Sequence, residues 1–262
     1  MTAFTLERVD SYRTAENLCP GAGKTVLELG SGNGTLTRCL RELGWTVDTV
    51  DIAFEAPPGA RRHYRADISK GLGFLPKDAA YDAVVSLAVL HHVVACPGRL
   101  PDNLANDIAA LTRPGAVLIL QDVPAREVLA HSAPLAGAGL YAAMTTARIF
   151  ADLVDPYSVP THNGVYLHMA AVGDQLADRF APVDRFYHRC DWHFPDRELA
   201  ARYVQALFNL NLGQDAILAA LESELESELE SELEPALQPT LQPAGSGLRL
   251  PWALDCLVMR RL

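Results

Sequence analysis

The residues best suited to chemistry begin at Glu28. It closes the apolar run Thr25-Val26-Leu27-Glu28-Leu29 and is followed by Gly30-Ser31-Gly32-Asn33-Gly34, with glycine at alternate positions. Glycine lets the chain turn tightly and lets a ligand approach the peptide with no Cβ in the way. A helix after such a turn points its first N–H groups into the same space. A dinucleotide fingerprint needs G-x-G-x-x-G, whereas the spacing here is G-x-G-x-G. Glu28 would also set negative charge beside a pyrophosphate. The turn and its acid therefore suit a nucleoside ligand with a positive centre or without phosphate. Asp51 stands seventeen residues beyond Gly34, where a carboxylate can accept both hydroxyls of a ribose. His91-His92, in the stretch LAVLHHV, supply two adjacent imidazoles. Either ring could orient an acceptor or take its proton; the plain alternative is a hydrogen-bonded histidine at a helix start.

The elements that would position these residues follow from hydrophobic period. Residues 25–29 read as a first strand. Leu36, Cys39, Leu40 and Leu43 recur at helical spacing over 35–43. The β-branched run 46–52 reads as strand two, 62–66 as a weaker strand three and 81–87 as strand four. Residues 104–111 form a helix ended by Arg113-Pro114-Gly115, and 116–121 a buried strand five. Alternating strands and helices predict a parallel sheet covered on both faces. Beyond Asp122 the expectation is a broken Ala-rich helix over 125–153, a loop over 155–163 and a helix over 167–180. A sixth strand over 184–194, a helix over 196–212 and a last strand over 254–261 beside strand six complete the order.

Glu28-Leu29-Gly30-Ser31-Gly32-Asn33-Gly34 resembles the first motif of class I S-adenosylmethionine-dependent methyltransferases, commonly E/D-x-G-x-G-x-G. The stretch Tyr81-Asp82-Ala83-Val84-Val85-Ser86-Leu87 resembles the fourth-strand motif of that family. Leu111-Thr112-Arg113-Pro114-Gly115-Ala116 resembles the segment before its fifth strand. The resemblance covers roughly residues 20–123. It implies a Rossmann-like, doubly wound, mostly parallel α/β sheet of seven strands, with an antiparallel last strand and a helical cap insertion. It implies S-adenosyl-L-methionine as cofactor, held by Glu28, Gly30, Ser31, Gly32, Asn33, Gly34, Asp51, Ile52, Asp67, Ile68 and Leu87. In the family an acid at the position of Asp67 meets the adenine amine, and an apolar neighbour covers the ring. For Asp67 a cap on the turn beginning at Ile68 is the competing reading, and for Asp82 a structural turn acid is preferred over a ligand.

The domain organisation expected is a lid or helix over 1–24, the cofactor-binding core over 25–123 and a helical substrate cap over 124–182. The rest of the core occupies 183–262, with a low-complexity insertion at 221–247. Arg13, after Tyr12, is a candidate partner of the cofactor carboxylate. Methyl transfer from a sulfonium is an in-line displacement that mainly requires alignment and exclusion of water. The candidate catalytic residues are His91 and His92. Tyr141, Tyr157, His162 and Tyr166 are the candidate acceptor-lining residues, suited to a small, partly apolar molecule. Trp192 is read as core.

Composition bounds the partners. The 262 residues carry a formal net charge of −10, which argues against nucleic acid. Seven of the glutamates lie in LESELESELESELE, residues 221–234, and the remainder is close to neutral. A four-residue repeat drifts around a helix of 3.6 residues per turn, so a solvated insertion anchored by Leu218, Leu221 and Leu225 is expected. The five cysteines are scattered without C-x-x-C spacing, so no metal site is expected and reduced thiols are. No signal pattern or apolar span of membrane length occurs. A cytoplasmic protein is expected, with no membrane partner and with a homodimer admitted. The acceptor atom, O, N or C, is left open. The alternative weighed is a non-catalytic binding protein that keeps the cofactor fold and acts through a partner subunit.

Overall fold

The computed structural model describes residues 21–53, 55–94, 98–126, 138–158, 166–229 and 248–262. Tyr12, Arg13, nearly all of the expected lid, His162, Cys19, Cys96 and residues 230–247 lie outside them.

By contact the chain divides into two units, and the first comprises the described parts of Met1–Val123, Val165–His188 and Asp255–Leu262. It is built on one seven-stranded sheet. Its strands are β1 (Thr25–Leu29), β2 (Thr46–Asp51), β3 (Arg62–Arg65), β4 (Tyr81–Leu87), β5 (Thr112–Asp122), β6 (Phe180–Arg189) and β9 (Ala253–Arg261). Their spatial order is β3-β2-β1-β4-β5-β9-β6. Pairs from β3 through β5 are parallel and β5–β9 is antiparallel. Two short β-strands outside this sheet, β7 (Trp192–Phe194) and β8 (Leu248–Leu250), pair antiparallel with each other. The central strands β1 and β4 are buried on both sides, which is why their sequences are largely apolar rather than alternating. Helix α1 (Thr35–Glu42) buries Leu36, Thr37, Cys39 and Leu40. Helices α2 (Asp102–Leu111) and α4 (Met169–Leu176) bury Leu104, Ile108, Met169 and Val172 in the opposite core layer.

The strand order places the carboxyl ends of β1, β2, β4 and β5 together around the point where the chain direction across the sheet reverses. Ligands of open α/β sheets bind at such a point. At the other end, Asp82 accepts Thr25 N–H at 2.8 Å and Arg113 Nη1 at 2.7 Å. That carboxylate ties β1, β4 and β5 together, as its structural reading anticipates.

The second unit comprises the described parts of Pro124–Gly164 and Arg189–Leu254. It holds the β7–β8 ribbon, α3 (Ala138–Ile149), α5 (Arg197–Phe208) and α6 (Gln214–Leu229). Helix α3 runs into a π-helical stretch, Phe150–Val154. Trp192 and Trp252 stack with ring centroids 4.1 Å apart, and Phe150 and Phe208 pack beside them. Trp192 is thus core. Ile217 and Leu221 are the buried anchors of α6, with Leu218 half-buried; the side chain of Leu225 lies outside the described part. Residues 166–182, read from sequence as cap, group with the sheet, and the described residues of 189–254, read as core, group with those of 124–164.

Several boundaries differ from the sequence reading. Strand β5 starts at Thr112: Tyr81 pairs with Thr112 but Ala83 with Val117, so Arg113, Pro114 and Gly115 lie in a bulge. Phe180 opens β6 rather than closing a helix. The stretch 184–194 divides because Asp191 draws the chain aside; it accepts hydrogen bonds from Arg189, Arg249 and Trp252 N–H. The helix over 196–212 stops at Phe208, with Asn209 left-handed at φ 49°.

Candidate functional site

The glycine turn has three glycines at positive φ: Gly30 at 75°, Gly32 at 48° and Gly34 at 77°. Two are small for packing. A Cβ on Gly30 would lie 2.5 Å from Val89, and one on Gly34 would lie 2.5 Å from Pro57. A Cβ on Gly32 would meet nothing among the described residues within 4 Å, so the space above it is open to them. Ser31 is buried beside it, and its Oγ has no hydrogen-bond partner among the described residues. Asn33 is turned to the helix: its Oδ1 accepts Thr35 N–H at 3.1 Å and Thr35 Oγ1–H at 2.8 Å.

Asp51 ends β2 facing this turn. Its Oδ2 accepts Gly32 N–H at 2.8 Å and its Oδ1 accepts Ala53 N–H at 2.8 Å. Two oxygens offer about four acceptor positions, so further donors can be taken. The next residue, Ile52, is 71% exposed, an apolar surface projecting beside a polar group.

Glu28 lies beneath the turn. It is 1% exposed and accepts Thr37 Oγ1–H from α1 at 2.5 Å. Burial first, with the nearby Asp51 charge adding to it, pushes the Glu28 carboxyl up to about 8 against the opposing Thr37 hydrogen bond. At neutral pH Glu28 therefore carries a proton. An acid with no cationic partner among the described residues is less costly to protonate than to bury ionised.

Asp67 follows β3 and caps the helical turn Ile68–Lys70, its Oδ1 accepting Ser69 N–H at 2.9 Å. The Ser69 hydrogen bonds hold its carboxyl below the usual range. The cap reading is thus realised in Asp67. Ile68 is buried in the core cluster with Leu27 and Leu72, whereas Ile52 stands exposed. Leu87 is half-buried at the end of β4.

Beyond β4 the chain makes a sharp departure. Ala88 adopts φ 52°, uncommon for a residue with a side chain, and donates its N–H to Gln121 O at 2.8 Å. The turn seats Val89 against Gly30 and leads into a 3-10 turn, Leu90–His92. His91 is buried there. Its Nδ1 lies 2.5 Å from Asp122 Oδ1, and its backbone N–H donates to Asp122 Oδ2 at 3.0 Å. Asp122, the fully buried last residue of β5, also accepts Val123 N–H at 2.7 Å. Burial raises its carboxyl, but His91 and three hydrogen bonds outweigh that and hold it below the ordinary range. An ionised Asp122 accepts from His91 Nδ1–H and so orients the ring. His92 is exposed, its ring centroid 4.0 Å from that of His91.

Residues 9–201 match the profile of a family described as methyltransferase domain. The chain belongs to the methyltransferase-domain family. A methyltransferase of Staphylococcus carnosus, named as uncharacterized, is 32% identical over 96 residues, 36% of this chain and 45% of its own length. A ubiquinone biosynthesis O-methyltransferase of Xanthomonas campestris is 32% identical over 120 residues, 42% of this chain and 46% of its own. The matches span less than half the length of these curated relatives. A protein of Bacillus halodurans assigned to the methyltransferases shares the fold at TM-score 0.56 and 11% identity, over 96% of this chain and 98% of its own. Family and strand order together make this a class I, S-adenosylmethionine-dependent methyltransferase fold, as the glycine motif implies.

The methyltransferase cofactor fits the residues present. The open space at Gly32, the buried Ser31 hydroxyl, the Asp51 carboxylate and the exposed Ile52 surround the end of β1. Of the acceptor candidates, Tyr141 is buried and Tyr157 exposed in the second unit, whereas Tyr166 is half-buried in the first. Sequence reading missed Asp122. Its signal was present, since an acid at the end of a buried, apolar strand needs a partner, but nothing in the spacing pointed to His91.

Proposed function

We propose that this methyltransferase acts on a hydroxyl group of a small molecule, and that His91, held by Asp122, takes the proton of that hydroxyl. The single observation that carries this reading is the buried His91–Asp122 pair at the carboxyl ends of β4 and β5. S-adenosylmethionine, when bound, supplies a methyl group already activated on a sulfonium. The chain's own residues have the remaining work. The Gly30–Gly34 turn, with Ser31 and Asn33, would receive the nucleoside and amino-acid portions. Asp51 would accept the ribose hydroxyls, with Ile52, Ile68 and Leu87 as apolar walls and Asp67 near the adenine. Glu28, protonated, would support the turn rather than balance a positive charge.

The acceptor class follows from the need for a base. A thiolate or a carboxylate is already a competent nucleophile near neutral pH, whereas a phenolic hydroxyl keeps its proton until about pH 10. A buried imidazole oriented by a carboxylate is suited to removing that proton as the new bond forms. The Xanthomonas relative, named an O-methyltransferase, agrees with this choice. Tyr166, in the same unit as His91, is proposed to line the acceptor, and His92 to orient it.

The test is a panel of small phenols, enols, amines and thiols incubated with methyl-labelled S-adenosylmethionine. Label on oxygen in one of the hydroxyl compounds is expected. Label on nitrogen, sulfur or carbon alone, or only on macromolecules, would overturn the reading.

A further inference from the structure

Asp122 has a second buried carboxylate opposite it. Asp255 on β9 pairs in register with Asp122 across the antiparallel β5–β9 ladder, which sets both side chains on one face of the sheet. Both are buried. Asp122 is held by His91, and Asp255 is gripped instead by Arg185 from β6, with Nε at 3.2 Å from Oδ1 and Nη2 at 2.8 Å from Oδ2. Both Asp255 oxygens accept from the guanidinium fork, the arrangement of an ionised carboxylate. Burial first, and then the Asp122 charge, raise the Asp255 carboxyl, while Arg185 opposes them.

We infer that Arg185 and Asp255 are a positioning pair that sets the proton affinity of His91 from behind Asp122. The inference rests on the reading of His91 as the base. The row His91, Asp122, Asp255, Arg185 has zero net charge when His91 is protonated and one excess negative charge when it is not. Like charges side by side in a buried site are costly, so the row favours the protonated ring that proton removal from an acceptor creates. Arg185 keeps Asp255 ionised; without it the buried carboxylate would take a proton and its charge would no longer bear on His91. The other titratable groups within reach are His92 beside His91, His168 ahead of α4, which acts on Asp255, and Tyr187 on β6, which acts on Arg185.

Removing either charge of the pair gives the test. The His91 imidazole is titrated by NMR in the full chain, assigned with His91→Gln, in the wild type, Asp255→Asn, Arg185→Gln and Arg185→Lys. Asp255→Asn removes a negative charge and should lower the His91 midpoint. Arg185→Gln leaves Asp255 to take a proton and should lower it as well, each by roughly half to one pH unit. Arg185→Lys keeps the charge and should stay near wild type. The acid limb of the kcat profile should move with the NMR midpoint. An unmoved or raised midpoint in Asp255→Asn would overturn the inference, as would a raised midpoint in Arg185→Gln. Asp255→Asn decides by itself if Arg185→Gln fails to fold. Should the acid limb persist in His91→Gln, the reading of His91 as base fails instead, and the NMR result stands apart from it.

Discussion

Asp51 holds Gly32: the last carboxylate of β2 accepts the N–H of the middle glycine of the turn at 2.8 Å. The acid proposed to bind the ribose is therefore also a strut of the pocket floor. Asp51→Ala removes the ribose acceptor and releases the turn together. Binding of S-adenosylhomocysteine is expected to weaken by ~1–3 kcal/mol, the range for a charged hydrogen-bond partner, as read by calorimetry. Unchanged affinity would remove Asp51 from the site.

The three glycines should separate under substitution. At Gly30 and Gly34 an added Cβ runs into Val89 and Pro57, each at 2.5 Å. Those variants should lose thermal stability, since neither neighbour is the free end of a flexible chain. At Gly32 the space is open, so Gly32→Ala bears only the strain of its left-handed backbone, about 1 kcal/mol. It should melt within a few degrees of wild type and yet lose cofactor binding, because the methyl group occupies the ligand's place. A Gly32→Ala variant that binds normally would show that the open space is not the cofactor's.

The buried Glu28 predicts an unusual pH dependence. Its folded carboxyl stands at about 8, raised above the unfolded value of 4.5. Below 4.5 both states hold the proton and Glu28 is neutral in the balance. Between 4.5 and about 8 the unfolded chain releases it and the folded chain does not, so stability falls as pH rises. Glu28→Gln keeps the shape and the acceptor for Thr37 and has no charge to bury. Its melting temperature should match wild type at about pH 4, exceed it by several degrees at about pH 8 and gain little further above that. Equal melting curves across the range would mean that Glu28 is ionised in the folded protein.

The sheet was legible because buried parallel strands write themselves as short apolar runs. Val26 and Leu27 in β1, and Ala83, Val84 and Val85 in β4, are such runs, and all five are buried. The glycine turn was legible because a positive φ selects a residue type at a fixed spacing. The division of 184–194 was not, because it depends on Arg249, nearly sixty residues away, meeting Asp191. The Asp122–His91 pair escaped for the same reason: the contact joins two strand ends across 31 positions of sequence. The protonation of Glu28 was hidden too, since a motif records which acid is present but not how deeply it is buried.

Asp122 should matter to the reaction more than to the cofactor. It takes three N–H groups, from His91 Nδ1, His91 backbone and Val123. Asn at this position offers one acceptor oxygen and an amide that itself donates. Facing that amide, the proposed base His91 would lose the carboxylate that orients its ring through Nδ1. Asp122→Asn should therefore lower kcat by roughly 10²–10⁴-fold with S-adenosylhomocysteine affinity little changed. Stability should follow the carboxylate as well. The folded Asp122 carboxyl lies below its unfolded value, so its contribution is present above about pH 4 and is lost as pH falls through the folded value. Asp122→Asn should thus melt lower than wild type at about pH 7, and the gap should narrow in acid. A variant with full kcat and the wild-type pH profile would place the base elsewhere.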